Sequence, residues 1–194
     1  IANYGFNGYG THQALMTVEK DLKHLTSKNN IVIYYFIPSH INRLNGNAIW
    51  DTHGPYYTLN GNEIKYNGSF DKNTLIKHNF ISKRIKIIWR NSNTYQTFFA
   101  GKYSNEDIKK TKEIIKKMNS LLNTKQTRFI LISRVSDHKE EKSRLEEVLF
   151  EPLKKSNVEF YHINSIIKDL NTNPNHYQIV GDGHPNELYN KKIA

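Results

Sequence analysis

Apolar positions along this chain fall into two kinds of pattern, and their alternation predicts the architecture. In "THQALMTVEKDLKHLTSK", Ala14, Leu15, Val18, Leu22 and Leu25 recur at three-to-four spacing, which predicts an amphipathic helix with Thr11 as its N-cap. "NIVIYYFI" follows as an unbroken apolar run of strand length, closed by Pro38, and reads as a strand buried on both faces. A second helix opens at Ser104, with Asp107 three residues on as a capping box. Its inward stripe is Ile108, Ile114, Ile115, Met118, Leu121 and Leu122. "RFILIS" is the next buried strand. "HKEEKSRLEEVLFEPLKK" is a third helix with Leu145, Val148, Leu149 and Leu153 inward, disturbed at Pro152, and "VEFYHI" is a third strand. Helices alternating with short apolar strands predict a three-layer α/β/α sandwich with a mainly parallel sheet whose inner strands are these three runs. No linker or internal repeat divides the 194 residues, so one domain is expected.

One region breaks the alternation. Between about residues 43 and 80 the chain turns irregular and aromatic, and "YYTLNGNEIKY" sets Asn60-Gly61 between two alternating segments. This predicts a β-hairpin carried as an insertion in the domain.

The 37% apolar content is low for a globular domain, yet Ile, Leu, Tyr and Phe are spread throughout, so a folded protein is expected. No run approaches the length of a membrane span. The absence of cysteine excludes disulfides, thiolate metal sites and a cysteine nucleophile. A net charge of +10 raises the question of a nucleic-acid partner. The lysines, however, concentrate on the second and third helices, interleaved with Glu and Asp. That is the pattern of solvated helix faces, and no nucleic-acid partner is expected.

Three stretches carry candidate chemistry. "NYGFNGYGTHQAL" sets Gly5, Gly8 and Gly10 just before a helix, where backbone N–H groups can approach an anion. "IPSHINR" places His40 just past a strand's carboxyl end, where open α/β sheets bind ligands. "GDGHPN" puts Asp182 two residues before His184, so a carboxylate can hold Nδ1 of the imidazole and leave Nε2 as a base.

Taken in order, these stretches resemble the SGNH (GDSL-like) hydrolase family over nearly the whole chain. "NYGFNGYGTHQAL" resembles its second block, "IVIYYFIPSHINR" its third, and "GDGHPNELYNKKIA" its fifth, the most specific of the three. The resemblance implies a flavodoxin-like α/β/α fold and a serine esterase or acyltransferase, with no cofactor and no metal. It assigns His184 and Asp182 to a catalytic triad, and Gly8 and His40 to the oxyanion hole. Asn7, Trp50 and Tyr56 are secondary candidates for contacts to an ester of a small molecule or glycan, with Trp50, Tyr56 and Tyr57 of the aromatic insertion as a lid or sugar platform. Two departures stand out: His40 occupies a position that the family usually gives to Asn, and the acid–histidine spacing is one residue shorter than its commoner form.

The Gly-Asp-Ser block that supplies the family's nucleophile is missing. The sequence opens on Ile1, almost at the second block, and closes early in a last helix. The expectation is therefore a nucleophilic serine upstream of Ile1, in the same natural protein or in another chain. The rival expectation is a non-catalytic domain of the same fold that binds a glycan or a protein partner. Compartment and oligomeric state are open on the sequence alone.

Overall fold

The computed structural model describes residues 2–5, 8–25, 30–46, 50–72, 103–134, 139–182 and 184–193. Its centre is a parallel sheet in the order β1-β4-β5, formed by Ile31–Phe36, Arg128–Ser133 and Glu159–His162. These are the three apolar runs, and their register aligns the carboxyl ends: Phe36 faces Ser133, and Ser133 faces His162.

Among the described residues only β4 has neighbours on both sides. That corrects the expectation of three inner strands: Ile31 and Ile33 of β1 are 56% and 43% exposed. An apolar run cannot distinguish a central strand from one whose outer edge is open.

Strand alternation divides the core. Phe129 and Leu131 of β4 point into a cluster with Leu15, Phe36, Ile108, Ile115, Met118 and Leu149. Ile132 points to the opposite face and packs with Ile163, Ile167, Leu170, Tyr177 and Tyr189. β1 does the same with adjacent tyrosines: Tyr34 packs against the first cluster and Tyr35 against the second.

The first core is covered by α1 (Thr11–Asp21), by α3 (Asn105–Asn123) and by the helix that follows β4; a short α2 (Ser39–Arg43) leaves β1. Gly10, not Thr11, is the N-cap of α1, and the Gln13 side chain accepts a hydrogen bond from its N–H at 2.6 Å. Thr11 is thereby moved into the first turn, fully buried. Ser104 caps α3 as its sequence predicts: its Oγ accepts from the Asp107 N–H while the Asp107 carboxylate receives the Ser104 N–H. The third helix runs as α4 (Lys139–Leu145), a π turn (Glu146–Phe150) and α5 (Glu151–Lys155). Pro152 has no N–H for the carbonyl of Val148, and the widened turn just before it absorbs that loss.

The hairpin consists of β2 (Pro55–Asn60) and β3 (Glu63–Ser69), paired antiparallel. Asn60 pairs with Glu63, so the turn residues are Gly61 and Asn62, one position later than the Asn-Gly reading, with Gly61 at φ +64°. Tyr57, expected in a lid or sugar platform, is instead fully buried and anchors the hairpin through a 2.7 Å hydrogen bond to Glu19 of α1, while Lys117 of α3 reaches the Ile64 carbonyl at 3.2 Å. Parts of the predicted insertion, residues 47–49 and 73–80, lie outside the described residues.

Acids accompany the basic residues. Lys116 meets Glu113, Lys117 meets Glu19, Lys154 meets Glu146 and Glu151, and Arg128 meets Glu159. Among the described residues no helix is long and apolar enough to cross a membrane. A last helix, α6 (Ile163–Ile166) being the short one after β5, is α7 (Glu187–Ile193).

Candidate functional site

The acid–histidine pair sits on a tight loop with its own scaffold. Gln178 and Pro185 form an isolated bridge, the Ile179 N–H donates to the His184 carbonyl at 2.8 Å, and the Asp182 N–H donates to the Ile179 carbonyl. Gly181 turns the chain at φ +82°, a conformation that most side chains disfavour. Across this loop His184 Nδ1 lies 2.6 Å from Asp182 Oδ1. Both side chains are well exposed, at 69% and 52%, so Nε2 faces solvent.

Asn186 ties the loop to its surroundings. Its Nδ2 donates to the His176 carbonyl at 2.9 Å, and its Oδ1 accepts from the Tyr189 N–H at 3.1 Å, starting α7. Tyr189 then meets Tyr35 of β1, hydroxyl to hydroxyl at 2.5 Å. A cleft of about 530 Å³ lined by Ile179, Pro185, Asn186 and Lys191 runs beside the loop. Val180 is 92% exposed next to it.

The second and third stretches meet at the start of α1. His40 Nδ1 lies 3.0 Å from the Tyr34 hydroxyl, which lies 3.1 Å from Thr11 Oγ1. The His40 ring stacks on Tyr34 and meets Phe36 edge-on. Burial, with smaller contributions from Arg43 and His12, holds the His40 imidazole down at about 3, so it is neutral at ordinary pH. Arg43 Nη1 donates to the Tyr9 carbonyl at 2.6 Å, joining α2 to the glycine-rich stretch.

Beneath this lies a pair that sequence reasoning missed: His12 Nε2 is 2.6 Å from Asp51 Oδ2, with both side chains buried. Burial lowers the His12 pKa, and its Nδ1 is buried without a partner. The separation of 39 positions, with the irregular segment at the far end, leaves no local signal for the pair. Thr11 and Tyr34 give no signal of their contact either, one standing at a cap position and the other inside an apolar strand.

Gly8 has φ +84°, and a Cβ there would come within 2.4 Å of Trp50 Nε1, which donates to the Gly8 carbonyl at 3.3 Å. Trp50 is otherwise open to solvent, 66% exposed. Gly8→Ala should therefore lose about 1–2 kcal/mol from the left-handed backbone alone, and displacement of the indole adds to this. Urea unfolding of Gly8→Ala beside a Trp50→Ala, Gly8→Ala double variant checks it, since the second change should relieve only the steric part.

Tyr56 lies elsewhere. Its ring packs on Phe70 with Lys110 Nζ 5.4 Å above it, and Phe70 in turn meets His12. Asn7 lies outside the described residues, as does Gly183 between the acid and the histidine.

The structure thus brings Gly8 to Trp50, and His40 to Thr11 through Tyr34. Among the described residues the side-chain hydrogen bonds of His184 reach Asp182 alone, and none links it to Gly8 or His40. The connection between the two halves runs through β1, where Tyr34 serves one and Tyr35 the other. Among the described residues no cluster of three or more His, Asp or Glu is placed to hold a metal ion. No family model matches the sequence, and no curated protein or solved structure is detectably similar to it.

Proposed function

We propose that this chain is the body of a three-layer α/β/α serine ester hydrolase or acyltransferase of the SGNH type, acting on a small-molecule or glycan ester. The observation that carries the reading is the 2.6 Å contact of Asp182 with His184 Nδ1. It supports a ring held with Nδ1 donating, so that Nε2 is the basic nitrogen, and the side chain's 69% exposure leaves it open to a serine hydroxyl.

On this reading the nucleophile is a serine. Its Oγ attacks the ester carbonyl carbon while His184 Nε2 takes the hydroxyl proton. The carbonyl oxygen becomes an oxyanion, held by the Gly8 N–H and by His40. Collapse of the tetrahedral adduct expels the alcohol, which leaves with the proton returned from His184. Water, or an acceptor alcohol, then repeats the sequence on the acyl-enzyme.

The test is covalent labelling of the intact natural protein with a serine-directed fluorophosphonate, followed by mass spectrometry of the labelled peptide. A single modified serine is expected, with labelling lost in His184→Ala. Labelling that is absent, or that is equal in His184→Ala, would overturn the hydrolase reading and favour a domain that binds its glycan or protein partner without turnover.

A further inference from the structure

We propose that Arg43 is a positioning residue for the oxyanion hole: by gripping the Tyr9 carbonyl it sets the backbone that carries the Gly8 N–H. This rests on the hydrolase reading, in which that N–H stabilises the oxyanion, and it requires no donor from His40.

Gly8 is the soft point of such a site. It stands at φ +84°, and a glycine moves among several backbone conformations at little cost. Its N–H keeps one direction relative to α1 only if the peptide groups that follow are held. They are held one after another. The Gly8 carbonyl accepts from Trp50 Nε1 at 3.3 Å. The Tyr9 carbonyl accepts from Arg43 Nη1 at 2.6 Å. The N–H of that same peptide group, which belongs to Gly10, donates to Gln13 Oε1 at 2.6 Å. The Tyr9–Gly10 peptide is thus pinned at both of its polar atoms.

The three holds differ in what stands behind them. Gln13 lies in the first turn of α1, directly after Gly10, so its bond is local and cannot place the stretch against another element. Trp50 is mostly exposed, and its bond is long for an N–H donor. Arg43 belongs to α2, which leaves β1 and whose neighbouring side chains Ile41 and Leu44 are fully buried. Its bond is short and charge-assisted, the stronger kind. The approach is close: a Cβ added to Gly10 would come within 2.9 Å of Arg43 Cβ. Among the described residues no carboxylate draws the guanidinium away from the carbonyl. Arg43 is therefore the hold that fixes the glycine-rich stretch to the core, and with it the place of the Gly8 N–H.

Two measurements on Arg43→Ala test this, with Arg43→Lys, which keeps a charged donor, beside it. The first needs no substrate. In the chain labelled with ¹⁵N at its ten glycines, Arg43→Ala should shift the Gly8 and Gly10 amide signals and leave that of Gly61, in the hairpin turn, in place. The second is kinetic, with the natural protein and a short-chain aryl ester. The kcat should fall about 10²-fold, the scale of a misplaced group, with KM nearly unchanged. Inhibition by an arylboronic acid, whose boron takes the serine oxygen as a tetrahedral anion, should weaken by the same factor as kcat. Arg43→Lys should recover most of the rate and hold the Gly8 signal near its original position. If Arg43→Ala does not fold, Arg43→Gln, shorter by two bonds, serves for the same comparison. An unmoved Gly8 signal overturns the proposal. So does an unchanged kcat, or a rise in KM alone, in a protein whose turnover depends on His184. A shifted Gly8 signal in a protein with no ester turnover sinks the hydrolase reading and upholds Arg43 as the anchor of the stretch.

Discussion

On the proposed hydrolase reading, His184→Ala should lower ester turnover by the natural protein at least about 10⁴-fold, and Asp182→Asn should cost about the same. The first change removes the base and later acid. The second keeps the side-chain shape but replaces the carboxylate that holds Nδ1, so the ring is free to present the wrong tautomer to the nucleophile. Because members of a triad act as a unit, the double variant should be scarcely worse than His184→Ala, far short of the product of the two effects. Both side chains are exposed, and the loop is held by backbone hydrogen bonds and by Asn186, so neither change should disturb folding. Steady-state kinetics with a short-chain aryl ester, alongside thermal unfolding of each variant, decides the matter. Full activity in His184→Ala with an unchanged unfolding transition would mean that the Asp182–His184 contact serves only its turn.

The parallel sheet was legible because its strands are short, mainly apolar and separated by long helical periods, as in "IVIYYF", "RFILIS" and "VEFYH". The α3 cap was legible for a local reason, since Ser104 and Asp107 satisfy each other's backbone within one turn. The Asp182–His184 contact was equally local, two residues apart in a loop. What failed to show was long-range. Whether β1 is a centre or an edge depends on what lies beside it, which no property of its six residues encodes. Gly10 displaced Thr11 as the cap because Gln13 folds back onto the Gly10 N–H. The buried His12–Asp51 pair joins a helix start to an irregular aromatic segment with no period of its own. Tyr34 carries two roles at once, apolar ring and polar hydroxyl, and pattern reading registers only the ring.

Acid should destabilise the fold through His40, and the direction follows from its depressed pKa. In the unfolded chain the imidazole takes a proton below its ordinary value near 6.5. In the folded protein it stays neutral until the pH approaches about 3. Between those limits the unfolded state binds the extra proton, so stability is fully present above pH ~6.5 and falls as the pH drops, levelling off near the folded value. Each pH unit well inside that window costs about 1.4 kcal/mol, and the whole interval is worth on the order of 5 kcal/mol. His12, whose pKa burial also lowers, adds in the same direction. Carboxylates that the fold holds below their usual range, such as Glu146, contribute their own loss lower in pH. The informative quantity is therefore a difference. His40→Gln keeps a neutral polar side chain beside Tyr34 and cannot titrate, so its stability should fall less steeply between pH 6.5 and 4 than that of the unmodified chain. Urea unfolding at four pH values in that interval measures both slopes, and the expected gap is close to 1.4 kcal/mol per pH unit. Parallel slopes would mean that the folded protein protonates His40 readily. A charged ring would then donate from both nitrogens, one of them to the Tyr34 hydroxyl.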